Sequence, residues 1–121
     1  MKVLVIIPAY NEEECIENTV NNLKKINSKV DYVVINDCSK DSTKDVCKKN
    51  KFNVINLPIN LGIGGAVQTG YKFAYENGYD VAIQMDADGQ HDPKYIDDMV
   101  KEIENGNDLV IGSRFIKKEG F

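Results

Sequence analysis

The chain has 121 residues, 42% of them hydrophobic and 28% charged, with a formal net charge of −4. That length supports one domain with a real core and excludes two, and the composition excludes a disordered chain. An acidic balance also argues against a nucleic-acid partner, which would be gripped through its phosphates by bulk positive charge.

Lys2–Ile7 opens with a β-branched run, the mark of a strand buried on both faces. Pro8 ends that apolar run too early for a secretory signal, and no stretch approaches the ~18 apolar residues of a membrane span. Glu12 to Ile26 predicts a helix, with Ile16, Val20, Leu23 and Ile26 on one side, acids early and Lys24 and Lys25 late, as the helix dipole prefers. Tyr32–Ile35 predicts the second strand, and Asp41 or Ser42 caps a short helix to about Asn50. Phe52–Leu57 predicts a third strand, Gly64 to Asn77 a helix closed by Gly78, and Val81–Met85 a fourth strand. Asp92-Pro93 sets a cap and an N1 proline before a helix whose face is Ile96, Met99, Val100 and Ile103; Gly106 stops it. Leu109–Ile111 predicts a fifth strand. Such alternation implies right-handed crossovers and a mostly parallel sheet covered by helices on both faces. Cys15, Cys38 and Cys47 form no C-x-x-C pair and read as free thiols of a reducing, cytoplasmic compartment.

In a sheet of this kind ligands bind beyond the carboxyl ends of the strands, so the residues just after each strand carry the functional signal. Pro8-Ala9-Tyr10-Asn11-Glu12 offers a rigid turn, a flat ring and helix-starting acids. Asp37, directly at the second strand's end, is a carboxylate able to accept bonds from nucleoside N–H or hydroxyl groups. Asn60-Leu61-Gly62-Ile63-Gly64-Gly65-Ala66 lets backbone approach a ligand closely and opens a helix whose first turn favours anions. It is not a dinucleotide fingerprint, because it follows the wrong strand and Val67 stands where a third small residue belongs.

Met85-Asp86-Ala87-Asp88-Gly89-Gln90 carries the strongest signal. Two carboxylates one residue apart at a strand tip repel each other unless a cation lies between or beside them, and oxygen donors suit Mg²⁺ or Mn²⁺. His91, the sole histidine, reads as a turn or surface residue. Arg114, in Gly112-Ser113-Arg114, is a candidate fork for a phosphate, with Lys117 and Lys118 behind it.

Together, PAYNEE, NDCSKDST, NLGIGGA, DADGQHDP and GSRF resemble a family 2 inverting glycosyltransferase of the GT-A type, above all the polyprenyl- and dolichyl-phosphate sugar synthases. The resemblance implies a Rossmann-like α/β nucleotide-sugar-binding half occupying residues 1–121, with the acceptor-side half of the catalytic domain absent. It implies that Pro8, Ala9, Tyr10, Glu12, Gly62, Gly65 and Ala87 border the nucleotide sugar, and that Asp37 holds its base or ribose. Asp86, near the base, ribose or metal, would bind Mg²⁺ or Mn²⁺ with Asp88 and Gln90, Asp88 as the main ligand; Asp88 and Arg114 would be the catalytic residues, Arg114 meeting the acceptor phosphate. The donor it favours is a uridine rather than a guanosine diphosphate sugar, the acceptor a polyprenyl phosphate at the cytoplasmic membrane face. Cys38 departs from the DDGS of many relatives, which have glycine there. The alternative is a fragment that binds donor and metal without turnover. A haloacid-dehalogenase-like phosphatase fits worse, since its D-x-D-G follows the first strand, begins with a nucleophilic Asp and leads to Thr, whereas this one follows the fourth and leads to Gln90.

Overall fold

A computed structural model describes residues 2–26, 29–88, 93–104 and 115–117. Its elements are β1 (Val3–Ala9), α1 (Ile16–Ile26), β2 (Asp31–Asn36), α2 (Thr43–Lys49), β3 (Val54–Asn56), α3 (Gly62–Glu76), β4 (Val81–Gln84), α4 (Pro93–Glu104) and β5 (Phe115–Lys117). The strands form one sheet in the order β3-β2-β1-β4-β5. β1 pairs in parallel with β2 and β4, and β2 with β3, while β5 runs antiparallel to β4. This is the expected mostly parallel α/β architecture. The predicted strand Leu109–Ile111 lies outside the described residues, as do Asp92 and Gly106.

The order explains why β1 is apolar at nearly every position: it is central, and successive side chains point to opposite faces. Val3, Val5, Ile7 and Ala9 join the core beneath α1, α2 and α4, built with Ile16, Val20, Leu23, Cys47, Ile96 and Met99. Leu4 and Ile6 point the other way, against Ala66 and Ala74 of α3. Each fully buried aliphatic side chain contributes about 1.5–3 kcal/mol of transfer free energy, so this double-sided strand anchors both layers. All three cysteines are free thiols. Among the described residues, no helix is long and apolar enough to cross a membrane.

The strand order reverses between β1 and β4: from β1 the chain builds outward through β2 and β3, then returns to β1's other edge. The loops leaving β1 and β4 lead to α1 and α4 on one face and the loop leaving β3 leads to α3 on the other, with a crevice between them at the carboxyl ends.

Candidate active site

That crevice is a cleft of about 300 Å³, lined by Pro8, Ala9, Tyr10, Glu12, Asp37, Ile63, Ala66, Asp86, Ala87 and Asp88. Three of its walls are the ends of β1, β2 and β4, and the fourth is the first turn of α3.

The β1 and β2 loops hold each other in place. Asn11 takes φ 54, a left-handed conformation that asparagine tolerates better than most residues. Its N–H donates to Ser39 Oγ at 3.0 Å, and its side-chain oxygen accepts from the Lys40 N–H at 2.8 Å. The Glu12 N–H donates to Thr43 Oγ1 at 2.9 Å, and the Glu13 N–H to Asp41 Oδ2 at 3.2 Å. Buried Asn36 ties the same corner to the sheet edge, donating to Asn56 Oδ1 at 2.8 Å and accepting from the Ser39 hydroxyl at 2.6 Å. Asn11, Ser39, Asp41 and Thr43 thus build the frame on which Tyr10 and Glu12 face the cleft.

Asp37 is buried, at 3% exposure, and lines the cleft. One of its carboxylate oxygens accepts from the Leu61 N–H at 2.7 Å, the other from the Gly62 N–H at 2.9 Å. The first turn of α3, expected from sequence to favour a bound anion, already has one: a side chain of the protein. Gly62 stands at φ 80, a conformation for which glycine is suited, and neither Gly62 nor Gly65 is among the cleft's lining residues. A side chain at Gly65 would press on Leu61, its Cβ 2.6 Å from Leu61 Cβ. The glycines shape the turn, and Ile63 and Ala66, the residues between and after them, form the wall. Sequence reasoning missed these two because it assigned the contact to the glycines rather than to the residues they position.

At the opposite wall the Thr19 hydroxyl donates to the Ala87 carbonyl at 2.8 Å, anchoring the turn between Asp86 and Asp88 onto α1. Asp88 is exposed and Asp86 half-buried. Glu12's carboxyl is pushed above its ordinary range, first by burial and then by the negative charges of Asp88, Asp41 and Asp86. Asp41 is held below its range: burial opposes this, but the Thr43 hydroxyl and N–H and the Glu13 N–H all donate to it. The cleft is therefore one negative basin with carboxylates contributed by separate elements.

The structure brings together Pro8, Ala9, Tyr10, Glu12, Asp37, Asp86, Ala87 and Asp88. Gln90, His91, Gly112, Ser113, Arg114 and Lys118 lie outside the described residues, and Lys117 falls in β5.

Known proteins resemble this chain in sequence and in fold. A 29% identical solved structure, S. aureus TarS in complex with UDP, superposes with a TM-score of 0.71 over 87% of this chain and 32% of its own. The UDP-N-acetylglucosamine--dolichyl-phosphate N-acetylglucosaminyltransferase of Methanococcus voltae is 39% identical, covering 98% of this chain and 54% of its own length. The undecaprenyl-phosphate mannosyltransferase of Micrococcus luteus is 37% identical, covering 94% and 49%. This chain thus spans about half the length of the curated relatives it matches. The family model described as glycosyl transferase family 2 matches residues 4–121, nearly the whole sequence. With strand-end motifs, sheet order and relatives in agreement, the chain belongs to glycosyl transferase family 2.

Proposed function

We propose that this chain forms the nucleotide-sugar-binding part, residues 1–121, of a metal-dependent enzyme that transfers a sugar from a nucleoside diphosphate to a polyprenyl phosphate with inversion. The observation that carries this reading is the single cleft collecting Pro8 to Tyr10, Glu12, Asp37 and Asp86 to Asp88 at the carboxyl ends of three strands. The names of the Methanococcus and Micrococcus relatives support a lipid-phosphate acceptor. The UDP complex of TarS, together with the UDP-sugar named for the Methanococcus enzyme, supports a uridine donor over a guanosine one.

The donor set fits a hard divalent cation. Among the described residues no group of three or more His, Cys, Asp or Glu side chains is arranged to hold a metal ion. Mg²⁺ and Mn²⁺ do not require such a cage; in nucleotide sites they use one or two carboxylates, with phosphate oxygens and water completing the shell. Asp86 and Asp88 supply that pair, and Gln90 is the third ligand the family resemblance implies. When bound, the cation neutralises charge that builds on the departing diphosphate.

The chain's own residues do the remaining work. Tyr10, 41% exposed, offers a ring face to the base or ribose, while Pro8 and Ala9 form the floor. A lipid phosphate is already ionised at neutral pH and needs positioning by cationic side chains rather than a general base. Arg114 is the proposed fork for that phosphate, with Lys117 and Lys118 beside it. The reaction would then proceed at a cytoplasmic membrane face, where such an acceptor is embedded.

Thermal unfolding with UDP or GDP, each with and without Mn²⁺, tests the reading. UDP with Mn²⁺ is expected to raise Tm by several degrees through binding linkage, and Asp88→Ala to abolish the shift. No shift with either nucleotide, or wild-type behaviour of Asp88→Ala, would end it. Because the chain spans about half of its relatives, binding and turnover are separable: assaying it beside a longer version of the protein distinguishes an active enzyme from a donor-binding part alone.

A further inference from the structure

We propose that Thr19 is a positioning residue for the cation site of the donor cleft: its hydroxyl, by holding the Ala87 carbonyl, aims the carboxylate of Asp88. This rests on the donor-site reading above, in which Asp86 and Asp88 supply the carboxylates of that site. Thr19 lies on the face of α1 that Ile16, Val20 and Leu23 bury in the core, and it is itself 5% exposed. Valine has nearly the same shape and would fill such a place without a polar atom to satisfy. A hydroxyl there is costly to bury unless it has a partner, and its partner is the Ala87 carbonyl at 2.8 Å, 68 residues later in the chain.

That carbonyl belongs to the peptide joining Ala87 to Asp88. A peptide group is planar, so fixing the carbonyl also fixes the Asp88 N–H and Cα, and leaves only the rotations about Asp88's own bonds. Side chains alternate along this stretch: Met85 and Ala87 are buried in the core beneath α1, while Asp86 is half-buried and Asp88 exposed, both lining the cleft. The turn is therefore held at Ala87 twice, through its methyl by packing and through its carbonyl by Thr19.

The facing wall is tied to the same helix. The Cys15 and Ile16 N–H groups donate to the Glu12 carbonyl at 3.1 and 2.9 Å, so one turn and the start of α1 connect Glu12 to Thr19. Thr19 completes a strut from the β1 loop to the β4 turn, with Glu12 at one end and Asp88 at the other. Removing its hydroxyl releases the β4 end alone.

Thr19→Val removes the hydroxyl at nearly constant shape, and Thr19→Ser keeps it. UDP is titrated calorimetrically into each protein with Mn²⁺ and again in EDTA. With Mn²⁺, Thr19→Val should bind UDP on the order of tenfold more weakly than wild type, the usual effect of losing a group that orients a metal ligand, and in EDTA the two should agree within about twofold. Thr19→Ser should follow wild type in both. In NMR spectra without metal, the Ala87 carbonyl carbon and the Asp88 amide nitrogen should shift in Thr19→Val and hold their places in Thr19→Ser.

Unchanged UDP affinity of Thr19→Val with Mn²⁺ would overturn the proposal. An equal loss in EDTA would do so as well, because the hydroxyl would then support the cleft as a whole rather than the cation's ligand. So would unmoved Ala87 and Asp88 signals in Thr19→Val, or a Thr19→Ser protein that loses as much as the valine variant. If wild type binds UDP no better with Mn²⁺ than in EDTA, the donor-site reading fails and takes this role with it; a Mn²⁺ effect that survives intact in Thr19→Val refutes Thr19 alone. If Thr19→Val does not fold, Thr19→Ala decides by the same measurements.

Discussion

Cys38 occupies the left-handed region at φ 56, directly after Asp37 at the rim of the cleft. A non-glycine residue there carries strain of roughly 1–2 kcal/mol, which glycine would not. Two things compensate here: the thiol lies 3.6 Å from the Pro58 carbonyl as a weak donor, and the Cys38 N–H donates to the Asn36 carbonyl at 2.9 Å. Cys38→Gly removes strain but gives a similar amount back in unfolded-chain entropy, so urea unfolding should place it within about 1 kcal/mol of wild type. Cys38→Val puts a branched Cβ into the same conformation and should cost about 1–2 kcal/mol. Equal stability of the valine and glycine variants would mean that the turn relaxes out of the left-handed region.

Packing of α3 on the sheet turns on Gly70. A Cβ there would collide with Ile6 Cγ2, so helix and central strand approach as closely as backbone permits. Gly70→Ala should therefore cost about 1–3 kcal/mol in chemical denaturation despite alanine's better helix propensity. Gly64→Ala, where nothing lies within 4 Å, should gain up to about 1 kcal/mol. At the other end of the sheet the Tyr79 hydroxyl donates to Asp31 Oδ2 at 2.7 Å, under the Lys2 ammonium 4.5 Å from the ring centre. Burial first, then the bond to Asp31 and its charge, push the Tyr79 phenol up to about 12. Between pH 10 and 12 the folded chain keeps a proton that the unfolded chain loses, so stability is full below pH 10 and falls through that window. The loss is on the order of 2–3 kcal/mol, and Tyr79→Phe should lack it in Tm measured against pH. The elements themselves were readable from one dimension because β1, β2 and β4 are buried strands with β-branched runs, and α4 starts at the expected Pro93. The starts of α2, after Ser42, and of α4 were readable too; those of α1 and α3 were not. α1 begins at Ile16 rather than Glu12, because Glu12 to Cys15 form a turn in which the Cys15 and Ile16 N–H groups both reach the Glu12 carbonyl. α3 begins at Gly62 rather than Gly64, because its cap comes from Asp37 in a distant part of the sequence. Local spacing cannot register that distant cap. In the same way it found the carboxylates of the cleft but not Ile63 and Ala66, which line it from the first turns of α3.

At the scale of the whole molecule, negative charge concentrates at one end of the sheet, where Glu12, Asp41, Asp86 and Asp88 share a basin. Under the proposed function this basin is a cation site, and without the cation it is a source of repulsion, so function and stability would oppose each other there. Glu12 reports the cost. Its folded carboxyl is raised above 4.5, by burial first and Asp88 next, so the folded chain holds a proton that the unfolded chain releases as pH climbs past that value. Protons bound in the unfolded state minus those bound in the folded state is then negative, and stability drops across the window from 4.5 up to the raised value and stays lower above it. Asp88→Asn removes the larger of the charge contributions and should recover part of that loss: at pH 7, without divalent ions, its Tm should exceed wild type by about 1–3 °C, as expected for a few tenths of a kcal/mol in a domain of this size. At pH 4, where Glu12 is largely protonated in both states, the two proteins should converge. Adding Mn²⁺ with UDP should reverse the order, stabilising wild type and leaving Asp88→Asn nearly unmoved. An Asp88→Asn protein that is less stable than wild type at pH 7 without metal would show that Asp88 serves the fold through its own hydrogen bonds, and the acidic basin would then be a structural feature rather than a poised cation site.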